Sequence, residues 1–189
     1  ITQTDSSTGI KVEGLATFET KGDVALENVN NDFESLVLKA SSAQLTEANE
    51  LTIVSLEVDS LTLQTGGDVD QSLSVDQVIK VSDRLSINAG NVDNGLANIS
   101  LSNPENDIAM VALEGEIVTI IQSGVAVLDR VRASELNVTG AIITQNPGAT
   151  IQTSGDASFS ASGELIELTE LGNIFGSVSF QAPQATVKV

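Results

Sequence analysis

Leu36-Val37-Leu38, Leu51-Thr52-Ile53 and Leu61-Thr62-Leu63 place apolar residues at alternate positions. That is the period of a strand with one buried side. Val24-Ala25-Leu26, Leu85-Ser86-Ile87, Ile99-Ser100-Leu101 and Leu136-Asn137-Val138 repeat the pattern. Thr65-Gly66-Gly67-Asp68, Asn88-Ala89-Gly90-Asn91 and Thr153-Ser154-Gly155-Asp156 fall between such triplets and read as turns. No window of helical period with a cap is present, so the chain reads as all-β, without substantial α-helix.

The strands belong to a longer repeat. Ile1-Thr2-Gln3 returns as Ile143-Thr144-Gln145, an offset of 143 − 1 = 142. The same offset takes Leu26 to Leu168, Asn31 to Asn173 and Phe33 to Phe175. An offset of 75 takes Leu26 to Leu101, Asn28 to Asn103, Asn31 to Asn106 and Leu61 to Leu136. One domain, 1–189, is therefore expected, with copies at 1–68, 69–142 and a partial one at 143–189. Insertions such as Asn91–Gly95 account for the unequal lengths, and Asn94-Gly95 is the one two-residue hairpin signal. Repetition with so few hairpin signals favours stacked parallel coils over a sandwich or barrel. About 20 strand segments at three per turn give about seven coils, a rod on the order of 30–35 Å long. The recurring Asn28, Asn103, Asn31, Asn106 and Asn173 read as corner residues, tolerant of left-handed backbone and able to bond locally.

Composition narrows function. Acidic residues number 26 against 8 basic, a formal charge of −18. Such a surface repels phosphate backbones, so a nucleic-acid partner is not expected, and no apolar run is long enough to insert in a membrane. There is no His, Cys, Trp or Tyr. Imidazole chemistry and the usual zinc sites are therefore absent, and no Trp or Tyr can stack on a sugar. Arg84, Arg130 and Arg132 are the only arginines, and Arg130 and Arg132 flank Val131 on what reads as a solvated strand face. The chain is expected to be non-catalytic and to need no cofactor. Calcium is the one candidate ion. Asp68 and Asp70, and Asp93 next to Asn94-Gly95, offer oxygen ligands near glycine, but neither segment matches a known calcium loop.

Gly22-Asp23-Val24-Ala25-Leu26-Glu27-Asn28, Asn31-Asp32-Phe33, Gly14-Leu15-Ala16-Thr17-Phe18 and Ile1-Thr2-Gln3 together resemble the repeats of filamentous haemagglutinin-like exoproteins of Gram-negative bacteria. The resemblance implies a right-handed parallel β-helix, export to the cell surface, and a role as the shaft of an adhesin or surface fibre. This chain is more acidic, and poorer in Gly and Thr, than the usual members. It opens directly with strand-like residues, so an export signal is expected to have been removed or to lie elsewhere. Three functions follow as expectations. The first is a structural or adhesive segment of an extracellular fibre, contacting flanking repeats or surface glycans. The second is a filament subunit that stacks head to tail on itself, because Ile1 and Val187-Lys188-Val189 both fall inside repeats. The third is a carbohydrate-active β-helix enzyme. Asn98-Ile99-Ser100 and Asn137-Val138-Thr139 fit the glycosylation sequon, but both fall in predicted strands and read as coincidence in a bacterial protein.

Overall fold

The computed structural model describes residues 1–4, 7–72, 74, 77–91, 95–163 and 165–188. Among them are seventeen strands and no helix. They are β1 (Lys11–Glu19), β2 (Val24–Leu26), β3 (Asp32–Lys39), β4 (Ser42–Glu47), β5 (Leu51–Thr65), β6 (Val69–Gln71), β7 (Ile79–Asn91), β8 (Gly95–Leu96), β9 (Ile99–Leu101), β10 (Asp107–Ile108), β11 (Val111–Ile121), β12 (Val125–Gly140), β13 (Ile142–Thr153), β14 (Asp156–Ala161), β15 (Leu165–Leu168), β16 (Ser177–Gln181) and β17 (Gln184–Val187).

The chain winds as a parallel β-solenoid with three faces per turn. One row of inward residues shows the stacking. Leu26, Leu45, Leu63, Ile87, Leu113, Val131 and Ile151 lie in direct register, each above the last. The bridges Thr2–Ala25 and Gln152–Ile174 extend that face by one layer at each end, giving about eight turns. At about 4.8 Å per layer the stack is roughly 38 Å long. Turn length varies from 17 residues, Leu36 to Ile53, to 30, Val69 to Ile99. Surplus residues leave at the corners and do not disturb the rows.

Some whole turns need no loop. Across β12, Ala126 and Leu128, then Val131 and Ala133, then Leu136 and Val138 are buried, two for each face. Between them Asp129-Arg130 and Ser134-Glu135 both face outward. Alternation is broken by one extra outward residue, and the strand bends there without ending. β5 does the same at Val54-Ser55 and Asp59-Ser60. The pairings record these corners as register shifts at Leu128/Arg130 and Val58/Ser60, the signature of a bulge. This is why fewer strands appear than the sequence pattern suggests.

The long copies do not sit on one another. Leu26 lies in the row just described, on the second face. Its counterpart Leu101 belongs to the row Leu101–Ile120–Val138–Phe159–Phe180 on the third face. Leu168 lies on the first face, in the strand whose Ile166 stacks between Ile143 and Ala185. One copy is thus three turns and a third, and each copy is rotated by one face from the last.

Two expectations are corrected. Asn88–Asn91 is not a turn but the end of β7, which pairs with β8 through Gly90–Leu96 and Asn91–Gly95. That pairing is antiparallel, unlike the others among the described residues, and it flanks the Asn94-Gly95 signal, whose Asn94 lies outside the described residues. Gly90 and Gly95 take positive φ of 107° and 85° there, which glycine adopts without steric cost. Nor do the recurring asparagines use left-handed backbone, since no described non-glycine residue has positive φ.

The core is aliphatic except near its ends. Phe18 meets Phe33 edge-on at 5.6 Å, while Phe159 meets Phe175 edge-on at 6.0 Å and stacks on Phe180 at 5.5 Å. Between them the rows are Leu, Ile, Val and Ala.

Leu63→Ala is expected to lower unfolding free energy by roughly 2–5 kcal/mol, because the neighbouring turns cannot close on the gap. Its outward neighbour, Thr62→Ala, should change it by less than about 0.5 kcal/mol. Urea titration followed by circular dichroism separates the two, and equal effects would contradict the register.

Candidate functional site

Two of the three calcium candidates, Asp68 and Asp70, stand just before β6 and within it, in different surroundings. Asp68 is half-buried, and its carboxylate accepts hydrogen bonds from the backbone N–H and Nδ2 of Asn98 at 2.7 and 3.4 Å. Asp70 faces solvent on β6, between Thr52 and Ser100 of the adjacent turns. Asp93 lies outside the described residues. Among the described residues no three acidic side chains are grouped so as to hold a metal ion.

The polar side chains that the fold does gather are inside. Gln3, Gln71 and Gln145 each grip an asparagine of the following turn. Glutamine Nε2 donates to asparagine Oδ1 at 2.9 Å for Gln3–Asn31, 2.7 Å for Gln71–Asn106 and 2.8 Å for Gln145–Asn173. Asparagine Nδ2 donates back to glutamine Oε1 at 3.0, 2.8 and 2.9 Å. The same Oδ1 accepts the backbone N–H of Ile10, Ile79 or Ile151 at 2.9, 3.0 and 3.0 Å. Glutamine Oε1 also accepts the N–H of Asn28, Asn103 or Glu170 at 3.3, 3.2 and 3.3 Å. Two of the clamps reach a third turn, where Asn106 and Asn173 donate to the carbonyls of Ile121 and Lys188.

A short turn feeds each of the first two clamps. Asn31 and Asn106 close turns by donating N–H to the carbonyls of Asn28 and Asn103. The side chains of Asn28 and Asn103 cap those turns, accepting the N–H of Asn30 and of Glu105 at 2.9 Å each. Asn31, Asn106 and Asn173 are 0%, 1% and 3% exposed. Buried amides of this kind must be paired, and here they are paired across turns. Because each copy is rotated by one face, the three clamps occupy the three corners in succession. The sequence pointed to the asparagines as corner residues. Their glutamine partners were visible only as the recurring third residue of Ile1-Thr2-Gln3 and Ile143-Thr144-Gln145, 28 residues before the asparagine in each.

Glu47 is a buried carboxylate, 3% exposed. Its Oε2 accepts the Phe33 N–H at 2.8 Å, and Oε1 accepts those of Ala48 and Asn49 at 2.9 and 3.3 Å. Burial pushes its pKa up to about 6, the three N–H bonds pull it back, and Asp32 nearby adds a further push upward. The offset of 75 places Gln122 at the same point of the next copy, where its Nε2 donates to the carbonyls of Ile108 and Val125.

Outward rows carry the charge. Glu19, Lys39, Glu57, Lys80 and Asp107 stack in register with alternating sign. Lys39 and Glu57 close to 2.7 Å, which lifts the lysine pKa and lowers that of the carboxyl. This row borders an open cleft of about 660 Å³ that includes Lys21, Asp59 and Ser82. Two of the three arginines are engaged, Arg84 with Asp129 at 2.6 Å and Arg132 with Glu114 at 2.9 Å. A pair as open to solvent as Lys39–Glu57 is worth little individually.

A family described as repeats of unknown function (DUF5649) matches residues 1–38, 40–113 and 115–181. No curated protein and no solved structure matches the chain.

Asn106→Ala is expected to cost roughly 2–4 kcal/mol, since it orphans Gln71 and the Ile79 N–H together. A double-mutant cycle with Gln71→Ala should give a coupling of about 1–3 kcal/mol, and additivity would sink the clamp. For Glu47 the folded pKa lies above the ordinary 4.5, so its favourable contribution is present below pH 4.5 and is lost as pH rises through about 6. Melting temperature should fall across that window by more in the parent than in Glu47→Gln. Parallel pH profiles would contradict this.

Proposed function

The chain belongs to the DUF5649 repeats, and we propose that it is a rigid, non-catalytic shaft segment of a bacterial extracellular or cell-surface fibre. The observation that carries this reading is the use of the buried amides. Three Gln–Asn clamps bind turn to turn at all three corners, so the rod is braced around its whole circumference against bending and fraying. A solenoid whose turns touch only their neighbours is otherwise held by nearest-neighbour contacts alone.

The resemblance to filamentous haemagglutinin-like repeats supports the setting. The charge of −18, spread over outward rows, suits a surface that stays hydrated and does not adhere to anionic polymers. In this reading the fibre's partners are flanking coils along its axis and glycans or proteins presented at its surface.

Antibody labelling of intact cells, with electron microscopy of the shed material, tests the proposal. Surface labelling and thin rods of uniform width are expected. Labelling only after lysis would overturn it. So would turnover of a polysaccharide by the purified chain that a single Asp or Glu substitution abolishes. Separate copies joined end to end in the micrographs, with mass rising in light scattering as salt is added, would instead mark the chain as a self-stacking filament subunit.

A further inference from the structure

We infer that Asn137 is an N-glycosylation acceptor, and that its first sugar lies in the polar cleft beside it. Read as text, Asn98-Ile99-Ser100 and Asn137-Val138-Thr139 cannot be told apart, and both pass for coincidence. The structure separates them.

Asn98 is occupied. Its Nδ2 donates to Asp68 Oδ2 at 3.4 Å, and its Oδ1 accepts the Ile117 N–H at 3.3 Å. It is half-buried where the chain enters β9. A sugar on that nitrogen would have to displace the contact with Asp68 and open the corner.

Asn137 is free. It sits on β12 between Thr119 and Ser158 of the adjacent turns, exposed, and its side chain has no hydrogen-bond partner among the described residues. Val138 between the two sequon residues is 1% exposed and points into the core. Alternation therefore sends Asn137 and Thr139 out on the same side, and both are exposed. Acceptor amide and hydroxyl stand together on one exposed surface, where so bulky a modification can be carried.

The cleft is the second observation. A depression of about 380 Å³ adjoins Asn137, lined also by Glu135, Asp156, Ser158, Ser177 and Ser179. It offers two carboxylates and three hydroxyls, with Ser177 donating to Asp156. Carboxylates and hydroxyls are the groups that bond sugar hydroxyls, and Ala157 and Val178 complete the lining.

The donor is an activated sugar, esterified at its anomeric carbon to a phosphate of a nucleoside diphosphate or a polyprenyl pyrophosphate. A transferase joins Asn137 Nδ2 to that carbon. The carbon–oxygen bond to phosphate breaks and the phosphate ester leaves with the electron pair. The amide proton passes to the transferase's base. The proposal does not depend on the shaft reading, and either can fail alone.

The test is mass spectrometry of the protein purified from the organism that makes it, with peptides assigned by fragmentation. The peptide bearing Asn137 should be heavier by one sugar residue if the donor is a nucleotide sugar, or by a preassembled oligosaccharide if it is lipid-linked. The peptide bearing Asn98 should be unmodified. Asn137→Gln and Thr139→Ala, expressed in the same organism, should each abolish the increment, and Asn98→Gln should leave it unchanged. A bare Asn137 in the native protein would overturn the inference. So would a sugar on Asn98, or an increment that survives Asn137→Gln.

Discussion

Every feature of this chain depends on the stacking of each turn on the last in parallel register. The backbone hydrogen bonds of one turn are completed only by its neighbours, and so is the burial of each inward Leu, Ile or Val. Leu26 through Ile151 stand in one file because a one-residue slip would turn every inward side chain of a strand to solvent. That constraint tolerates turns of 17 to 30 residues, since surplus chain leaves at a corner. It does not tolerate polar side chains inside unless they are paired.

The clamps answer that restriction. A corner is where backbone groups fall out of the ladder and would be left without partners. Asn31, Asn106 and Asn173 supply the missing acceptors to Ile10, Ile79 and Ile151, and the glutamines of the turn before satisfy the amides in return. The network is reciprocal, so losing either member strands the other in a dry environment. Glu47 handles its corner with a carboxylate instead, at the cost of a burial that raises its pKa.

Charge is managed by the same geometry. Stacking places identical positions about 4.8 Å apart, so a repeated acidic residue would form a column of like charge. The row Glu19–Lys39–Glu57–Lys80–Asp107 avoids this by alternating sign, with Lys39 and Lys80 on the row and Lys21 in the cleft beside it. On the third face the outward row runs Asp70, Ser100, Thr119, Asn137, Ser158 and Ser179, which is mostly uncharged. Small neutral groups can stack without penalty, and this face is where the open sequon stands.

Alternating triplets such as Leu61-Thr62-Leu63, together with repetition at offsets of 75 and 142, determined an all-β parallel solenoid from the sequence by itself. Period-2 burial and stacking are properties of local pattern, so they can be read locally. The sequence also picked out the asparagines that recur, but not what they do. Whether an amide serves through its own backbone or through a partner 28 or 35 residues away is settled only when the turns are stacked. The same holds for the rotation of each copy by one face, because the count of corners between Leu26 and Leu101 depends on strands such as β5 bending without a turn residue to announce it. It holds again for the two sequons, identical in type, of which one nitrogen is tied to Asp68 and the other faces solvent. Contacts between residues distant in sequence decide these matters, and no local pattern encodes them.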